Sequence, residues 1–255
     1  MESVTLKGTR TIIIPIICAI MLSGGTININ STSKSQFKPE NAAKVYNDVT
    51  EVYNNTIEEL VENDFDTSNI DAKKTLLIKN KELLKKSLSK KMTVTITADK
   101  EILAPIVLEM IYDNNPKLEI EFDQSKLDKT NVRMIGGCIE LENGGSVEKG
   151  DRDGIACGLL TGSVVLNRAY YCSWCPDTIE GILFQKGQYA SHTVNNLKSC
   201  KISDKVQQIA EYLLIFGPIC PKNVIYQSQN PSLGKGIYAK IKTTSGYEYF
   251  AYGDD

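Results

Sequence analysis

The chain has 255 residues, of which 42% are hydrophobic and 24% charged, as in a globular protein with a packed core. This composition excludes a wholly disordered chain, and the net charge of −2 gives no support for nucleic acid as the main partner. The length suffices for one good-sized domain and an accessory segment.

The N-terminal segment has the features of an export signal. Lys7 and Arg10 precede an apolar run over 11–22, and small residues follow at 23–25. The run is shorter than the roughly 20 residues that cross a bilayer comfortably. We therefore interpret residues 1–25 as a cleaved signal peptide, with an uncleaved membrane anchor or a buried helix as alternatives. A secreted or cell-envelope protein is expected.

The next stretch predicts a linker and two helices. Residues 26–38 are polar and typical of a linker. Apolar residues then recur at helical spacing on both sides of a break at 64–69, so residues 39–91 are predicted to form a helical hairpin. The lysines of its second helix are most simply a solvated face, with binding to anionic wall polymers or lipid headgroups as the alternative.

An accessory α/β segment is predicted over 92–125. Alternating β-branched and polar residues predict a strand at 92–97, and a second strand is predicted at 118–122. Between them, residues 99–113 predict a helix that is bent or divided at Pro105, because proline removes a helical hydrogen bond.

The remaining residues, 126–255, are predicted to form the catalytic domain. Its first helix is expected to end near Asn143, because two glycines follow. A charged loop over 147–154 and a buried helix over 155–169 come next. The C-terminal stretches alternate aromatic and β-branched residues, which is typical of short antiparallel strands. We expect an α+β fold, mainly helical, with a small antiparallel sheet.

Glu142 is a candidate general acid. Its predicted position in the last turn of a helix places it at the negative end of the helix dipole, which disfavours a charged carboxylate. A neutral carboxylic acid is what protonation of a glycosidic oxygen requires. Taken alone this signal is weak, because most glutamates near helix ends are simply exposed.

Four segments, in this order, carry a resemblance to a known family. They are LENGG around Glu142, VVLNR ending at Arg168, PDTIEGILFQKGQY at 176–189 and IYQSQN at 225–230. Together they resemble the SleB/CwlJ-type cell-wall hydrolases, the spore cortex-lytic family, in the versions carried by clostridia and their mobile elements. The resemblance covers roughly residues 128–252.

That resemblance implies a lysozyme-like catalytic core, related to soluble lytic transglycosylases, that acts on peptidoglycan glycan strands. It also implies that no metal or other cofactor is needed. Glu142 would be the acid/base, and the nearby Glu140 is the less favoured alternative. The stretch between Glu142 and Asn167 is several residues longer than in most relatives, so the site geometry depends on the loop at 147–154.

A single catalytic carboxyl decides the expected reaction. Two-carboxylate glycosidases need a second acid about 5 to 9.5 Å from the first, and no second acid stands out in the matching block. Asp177, for example, is expected to cap a helix. We therefore expect a lytic transglycosylase that cuts between N-acetylmuramic acid and N-acetylglucosamine, with a hydrolytic N-acetylmuramidase as the alternative.

Amides, hydroxyls and aromatic rings suit sugar hydroxyls and N-acetyl groups. Tyr226, Gln227 and Gln229 fall on one predicted strand, and we take the first and the last as candidates. The predicted substrate-binding residues are Ser163, Gln188, Tyr189, Tyr226 and Gln229. Ser163 is expected either to hydrogen-bond the acid or to permit close helix packing. A structural role is favoured for Asn167 and Arg168.

Six of the seven cysteines follow the export segment. In an exported chain their even number favours disulfides, with buried free thiols or a zinc site that begins at Cys172 and Cys175 as alternatives. His192, the only histidine, is expected in an exposed loop. A cysteine amidase or peptidase that uses His192, and a non-catalytic wall-binding protein, are the rival functions. The oligomeric state is left open.

Overall fold

The computed structural model describes residues 1–9 and 91–253. The apolar run at 11–22, the predicted linker and all but the last residue of the predicted helical hairpin lie outside the described residues. Two compact units are present, one within Met1–Val107 and Asn115–Asp123, the other within Leu108–Asn114 and Gln124–Asp255.

The first unit contains a three-stranded antiparallel sheet. Strands β1 (Glu2–Thr9), β2 (Lys91–Ala98) and β3 (Glu119–Phe122) pair in the order β2-β1-β3. Its buried side chains come from all three strands: Val4, Leu6, Ile96, Ile120 and Phe122. The strands predicted at 92–97 and 118–122 are therefore confirmed.

Strand β1 is the central strand of this sheet, although the sequence assigns it to the export segment. Val4 and Leu6 are buried, and Lys7 forms an ion pair with Glu121 of β3. Cleavage near residue 25 would remove β1 and leave β2 and β3 without the strand that joins them. A mature protein that keeps this sheet must keep residues 1–9.

Helix α1 (Lys100–Asp113) follows β2 without interruption. It runs through Pro105 as one element, so of the two predicted alternatives, a bent or a divided helix, the divided one does not occur. Leu103 and Val107, on either side of the proline, are buried. Their burial holds the two halves in one helix despite the lost hydrogen bond.

The second unit combines helices with another small sheet. Its remaining helices are α2 (Lys129–Glu148), α3 (Arg152–Tyr171), α4 (Ile179–Phe184), α5 (Ser191–Asn196) and α6 (Asp204–Phe216). Its strands are β4 (Val224–Ser228), β5 (Ile237–Thr243) and β6 (Gly246–Tyr252), antiparallel in the order β4-β6-β5. With six α-helices and two small antiparallel sheets in the described ranges, the predicted α+β class is confirmed.

Helix α2 does not end at its glycines, and the prediction of a stop there is wrong. Interior glycines cost about 0.5 to 1 kcal/mol each, but tertiary contacts outweigh this cost. Next to Gly145, Ser146 accepts a hydrogen bond from the backbone N–H of Thr244 at 3.1 Å. The helix continues to Glu148, and α3 begins at Arg152. The predicted loop at 147–154 is therefore mostly helical, and only three residues connect the two helices.

Helix α3 packs against the sheet of the second unit and forms its core. Leu160 and Val164 lie in one apolar cluster with Val224 of β4, Ile241 of β5 and Phe250 of β6. The buried helix predicted over 155–169 is confirmed, and every residue from Gly162 to Arg168 is buried. This packing fixes the sheet against α3.

Across the two described ranges, no helix has both the length and the apolar character needed to span a membrane.

Candidate functional site

Glu142 lies well inside α2 and is held by a hydrogen bond. Thr193, a buried residue of α5, donates its hydroxyl proton to Glu142 Oε1 at 2.7 Å. The Glu142 side chain is partly exposed. Because the helix ends six residues later, at Glu148, the helix-dipole effect predicted for Glu142 does not apply. The partner hydroxyl of α5 fixes the carboxylate instead.

Glu140 has a different, structural role. Its Oε2 accepts hydrogen bonds from the backbone N–H of Ser203 at 2.8 Å and from the Ser203 hydroxyl at 3.0 Å. Ser203 directly precedes α6, so this carboxylate anchors the start of that helix. Of the two carboxyls, Glu140 thus holds the start of α6, whereas Glu142 contacts Thr193.

Asn143 fixes the helix that carries Glu142. Its amide donates to the Thr161 hydroxyl at 2.7 Å, and the Cys157 thiol donates to Asn143 Oδ1 at 3.2 Å. Both partners belong to α3, and all three side chains are buried. This network sets the rotation of α2 against α3 and so aims Glu142. This role of Asn143 was not predicted.

Tyr189 is the predicted substrate-binding residue that lies at Glu142. Its hydroxyl is hydrogen-bonded to the Cys138 thiol, one turn before Glu142 on α2. Burial, followed by the charge of Cys138, raises the pKa of Tyr189 well above its usual range, while the Arg168 guanidinium opposes this shift. Tyr189 therefore remains a neutral hydrogen-bonding group between α2 and α3.

Arg168 is a buried cation beside this tyrosine. It donates to Gln185 Oε1 at 2.8 Å, and the Trp174 ring centroid lies 6.0 Å from its guanidinium carbon. Desolvation by burial lowers its pKa, and Tyr189 and Tyr226 partly offset that effect. Arg168 Nε has no hydrogen-bond partner among the residues that the structure describes. The predicted candidate Tyr226 is thus also close to the site, through Arg168.

A second carboxyl group lies near Glu142. Glu248 of β6 is only 7% exposed, and its carboxylate interacts electrostatically with Glu142 and accepts a hydrogen bond from Gln227 of β4. Burial raises the pKa of Glu248, the Gln227 hydrogen bond lowers it, and the charge of Glu142 raises it again. Glu248 lies within the residues that the resemblance covers, and the sequence did not single it out.

A register shift in β4 determines the face of the sheet on which Gln227 lies. The register shifts between Val224, which pairs with Tyr252, and Tyr226, which pairs with Ala251. Gln227 consequently pairs with Phe250 and faces α3, as Val224 does. Strict alternation places Val224 and Gln227 on opposite faces, and the extra residue of the bulge reverses this.

The other predicted site residues lie elsewhere. Ser163 is fully buried; it donates to the Leu159 carbonyl at 2.7 Å and accepts from the Ile219 N–H at 3.1 Å, so it serves helix packing rather than the acid. Gln188 and Gln229 are exposed, and Gln229 follows the end of β4. The Asn167 amide binds the carbonyls of Pro221 and Val224 at 2.8 and 3.0 Å, in agreement with its structural interpretation.

The local structure around Asp177 and His192 differs from the prediction. Thr178 rather than Asp177 caps α4, since the Thr178 hydroxyl accepts from the Gly181 N–H at 3.1 Å. His192 is exposed as expected, but it belongs to the short helix α5 and not to a loop.

The cysteines are mostly free thiols, which corrects the expectation of general disulfide pairing. Cys172 and Cys175 form a disulfide, and the cysteines at 138, 157, 200 and 220 are unpaired. Burial raises the pKa of the Cys157 thiol to about 12 and that of Cys220 to about 11, and it also raises the pKa of Cys138. Such thiols are poor nucleophiles near neutral pH. No cluster of three or more His, Cys, Asp or Glu residues suited to a metal ion occurs in the described part of the chain.

Comparison with known proteins gave no match to any family model, to any curated protein or to any solved structure.

Proposed function

We propose that this protein is a peptidoglycan-cleaving cell-wall hydrolase, a lytic transglycosylase that cuts between N-acetylmuramic acid and N-acetylglucosamine. Glu142 is its general acid and base. The second unit is proposed to be a lysozyme-like core, and the protein to act in the cell envelope or outside the cell. Its partner is the glycan strand, and its reaction needs no cofactor.

One observation carries the proposal: residues from the four family-like segments are linked by a series of interactions that leads to Glu142. Tyr189 from KGQY interacts with Glu142, and Arg168 from VVLNR interacts with Tyr189 and with Tyr226 from IYQ. These segments are spread over almost 90 residues of the chain. Their meeting at one partly exposed carboxyl supports a common site.

The reaction proceeds in two proton transfers. Protonated Glu142 gives its proton to the glycosidic oxygen, the bond to C1 of the muramoyl residue breaks, and N-acetylglucosamine leaves with a free hydroxyl. The Glu142 carboxylate then removes the proton from the muramoyl 6-hydroxyl, whose oxygen closes on C1. The product is a 1,6-anhydro sugar, and Glu142 regains its proton.

A hydrolytic N-acetylmuramidase is the second candidate, because Glu248 supplies a second carboxyl near Glu142. Glu248 is only 7% exposed, which leaves little room for a water and a sugar ring beside it. The transglycosylase is therefore favoured. The raised pKa values of the buried thiols argue against a cysteine amidase or peptidase.

Product analysis tests the reaction type. Purified peptidoglycan digested with the wild-type protein is expected to yield muropeptides that end in 1,6-anhydro-N-acetylmuramic acid. These products are about 18 Da lighter than the hydrolytic products, because no water is added to the cleaved bond. High-resolution mass spectrometry measures this difference directly. If only reducing-end muropeptides formed, the protein would be a muramidase and not a transglycosylase. If the glycan strands stayed intact, the wall-binding interpretation would stand.

Replacing Thr193 with valine is expected to reduce kcat by about ten- to hundredfold. Valine keeps the shape of the buried side chain but removes the hydroxyl that donates to Glu142. The carboxylate then loses its fixed orientation. The matched variant Thr193→Ser keeps the hydroxyl and should retain most of the activity. The rate is measured by release of soluble muropeptides. Equal rates for Thr193→Val and wild type would show that Thr193 has no role in the reaction.

A further inference from the structure

The end of α3 and the turn after it expose three large aromatic side chains within five residues. Tyr170, Tyr171 and Trp174 are 53%, 51% and 50% exposed. They make up half of the six aromatic side chains that are exposed in the described residues. Single exposed apolar side chains are ordinary, whereas a group of them marks a surface that another molecule covers. We call residues 170–175 the aromatic turn.

A disulfide fixes the aromatic turn. It joins Cys172 to Cys175, so Trp174 lies inside a closed loop of the chain. Next to this loop, the rings of Tyr170 and Tyr171 meet edge to face, with their centroids 6.2 Å apart. Side chains that are held in place before binding lose little conformational entropy when a ligand arrives, which strengthens binding. The turn therefore presents its rings to the solvent in a fixed arrangement.

Arg168 connects the aromatic turn to the proposed site. Its guanidinium carbon lies 6.0 Å from the centroid of the Trp174 ring, and its Nη2 donates to Gln185 Oε1 at 2.8 Å. Gln185 directly follows α4, which packs on both α2 and α3. Arg168 also interacts with Tyr189, and Tyr189 interacts with Glu142. The aromatic turn thus joins the proposed site through one buried side chain, and we expect the two to share one extended ligand.

The charge of this surface indicates the class of ligand. Between residues 170 and 177 the only charged side chain is that of Asp177, which is exposed and acidic. A surface that binds anionic lipid headgroups carries lysines and arginines instead. A neutral sugar ring has an apolar face of C–H groups and a rim of hydroxyl groups. An exposed indole or phenol ring suits such a ligand, because it combines an apolar face with a polar group at its edge.

We propose that the aromatic turn is a saccharide-binding subsite, in which Trp174 stacks on an N-acetylglucosamine ring and Tyr170 and Tyr171 contact the adjoining sugar. Its assignment to the glycan strand of peptidoglycan rests on the proposed function. Trp174 holds the strand and takes no part in bond cleavage. The buried Arg168 lies over the indole within the range of a cation–π interaction and so limits the movement of the ring.

Intrinsic fluorescence tests the subsite directly, because Trp174 is the only tryptophan of the chain. The probe is a short soluble oligomer of N-acetylglucosamine, which contains no muramic acid and therefore binds without being cut at the proposed bond. Its addition to the full-length protein should change the tryptophan emission in a saturable way.

Isothermal titration calorimetry then compares the variants. Trp174→Ala should weaken binding of the oligomer by at least about tenfold, whereas Trp174→Phe keeps an aromatic face and should retain most of the affinity. The control is Tyr247→Ala, which removes a ring of β6 that is 47% exposed and should bind like wild type. Circular dichroism shows that each variant is folded.

The outcomes separate the subsite from the proposed function. Equal affinity of Trp174→Ala and wild type overturns the subsite, even if the protein cleaves peptidoglycan. So does an emission change with phosphatidylglycerol vesicles but none with the oligomer, which would assign the turn to a membrane surface. Weaker oligomer binding by Trp174→Ala, in a protein that does not cleave peptidoglycan, would uphold the subsite and reject the proposed function.

In a protein that does cleave peptidoglycan, Trp174→Ala should raise KM by a similar factor and leave kcat nearly unchanged. Stacking away from the broken bond stabilises the bound substrate and the transition state equally, so its loss changes KM alone. A fall in kcat at constant KM would contradict the role of Trp174 as a binding residue.

Discussion

Replacing Glu142 with glutamine is expected to abolish peptidoglycan cleavage, with a loss of at least about 10²- to 10⁴-fold. Glutamine keeps the size of the side chain and can still accept the Thr193 hydrogen bond through its amide oxygen. It has no acidic proton to give to the glycosidic oxygen. Zymography and release of soluble muropeptides measure the loss, and circular dichroism shows that the variant is folded.

Two matched variants make this result specific. Glu140→Gln changes a carboxyl two residues away that binds Ser203, so it should lower stability and leave cleavage by the folded protein intact. His192→Ala removes the histidine that a cysteine peptidase would require, and it should also be active. Loss of cleavage in His192→Ala together with full activity in Glu142→Gln would reverse the assignment in favour of the peptidase.

The buried helix of the second unit could be predicted from its sequence, because its apolar residues are dense and no breaker interrupts them. The C-terminal end of α2 could not be predicted from its sequence. Asn143, Gly144 and Gly145 form a strong local stop signal, yet side-chain bonds from Asn143 to α3 and from Ser146 to the β5–β6 turn hold the helix together. Contacts with residues far along the chain decided this boundary.

The partners of Glu142 show the same limit. Tyr189 could be named because an aromatic residue that follows a glycine in a predicted loop is a local signal. Glu248 had a weaker one: both faces of β6 carry aromatic residues, so alternation does not reveal which face is buried. Gln227 was named on the predicted strand, but the register shift in β4 that turns it toward α3 was not predicted. A bulge depends on cross-strand register, which a single strand's sequence does not specify.

The N-terminal strand bears on the proposed export. The structure uses residues 2–9 as the centre of a sheet, whereas a cleaved signal peptide would discard them. The intact mass of the protein recovered from its native compartment distinguishes a chain that keeps residues 1–9 from one that has lost them. Retention of residues 1–9 would favour the uncleaved alternative for the N-terminal segment.

The largest effect on stability is expected from Phe250→Ala, at about 3 to 5 kcal/mol. Phe250 is fully buried in the cluster that joins α3 to β4 and β5, and alanine would leave a cavity there. Hydrogen exchange, measured by mass spectrometry on peptides from the sheet, should accelerate by about 10²- to 10³-fold. Because α3 also holds α2, the helix of Glu142, through Thr161 and Cys157, loosening this cluster should lower cleavage as well.

The adjacent Tyr249 provides the control, since it faces away from α3 and is only partly buried. Tyr249→Ala should change exchange in the sheet much less and leave cleavage close to wild type. If both variants accelerated exchange equally, the sheet would not be held by its α3 face.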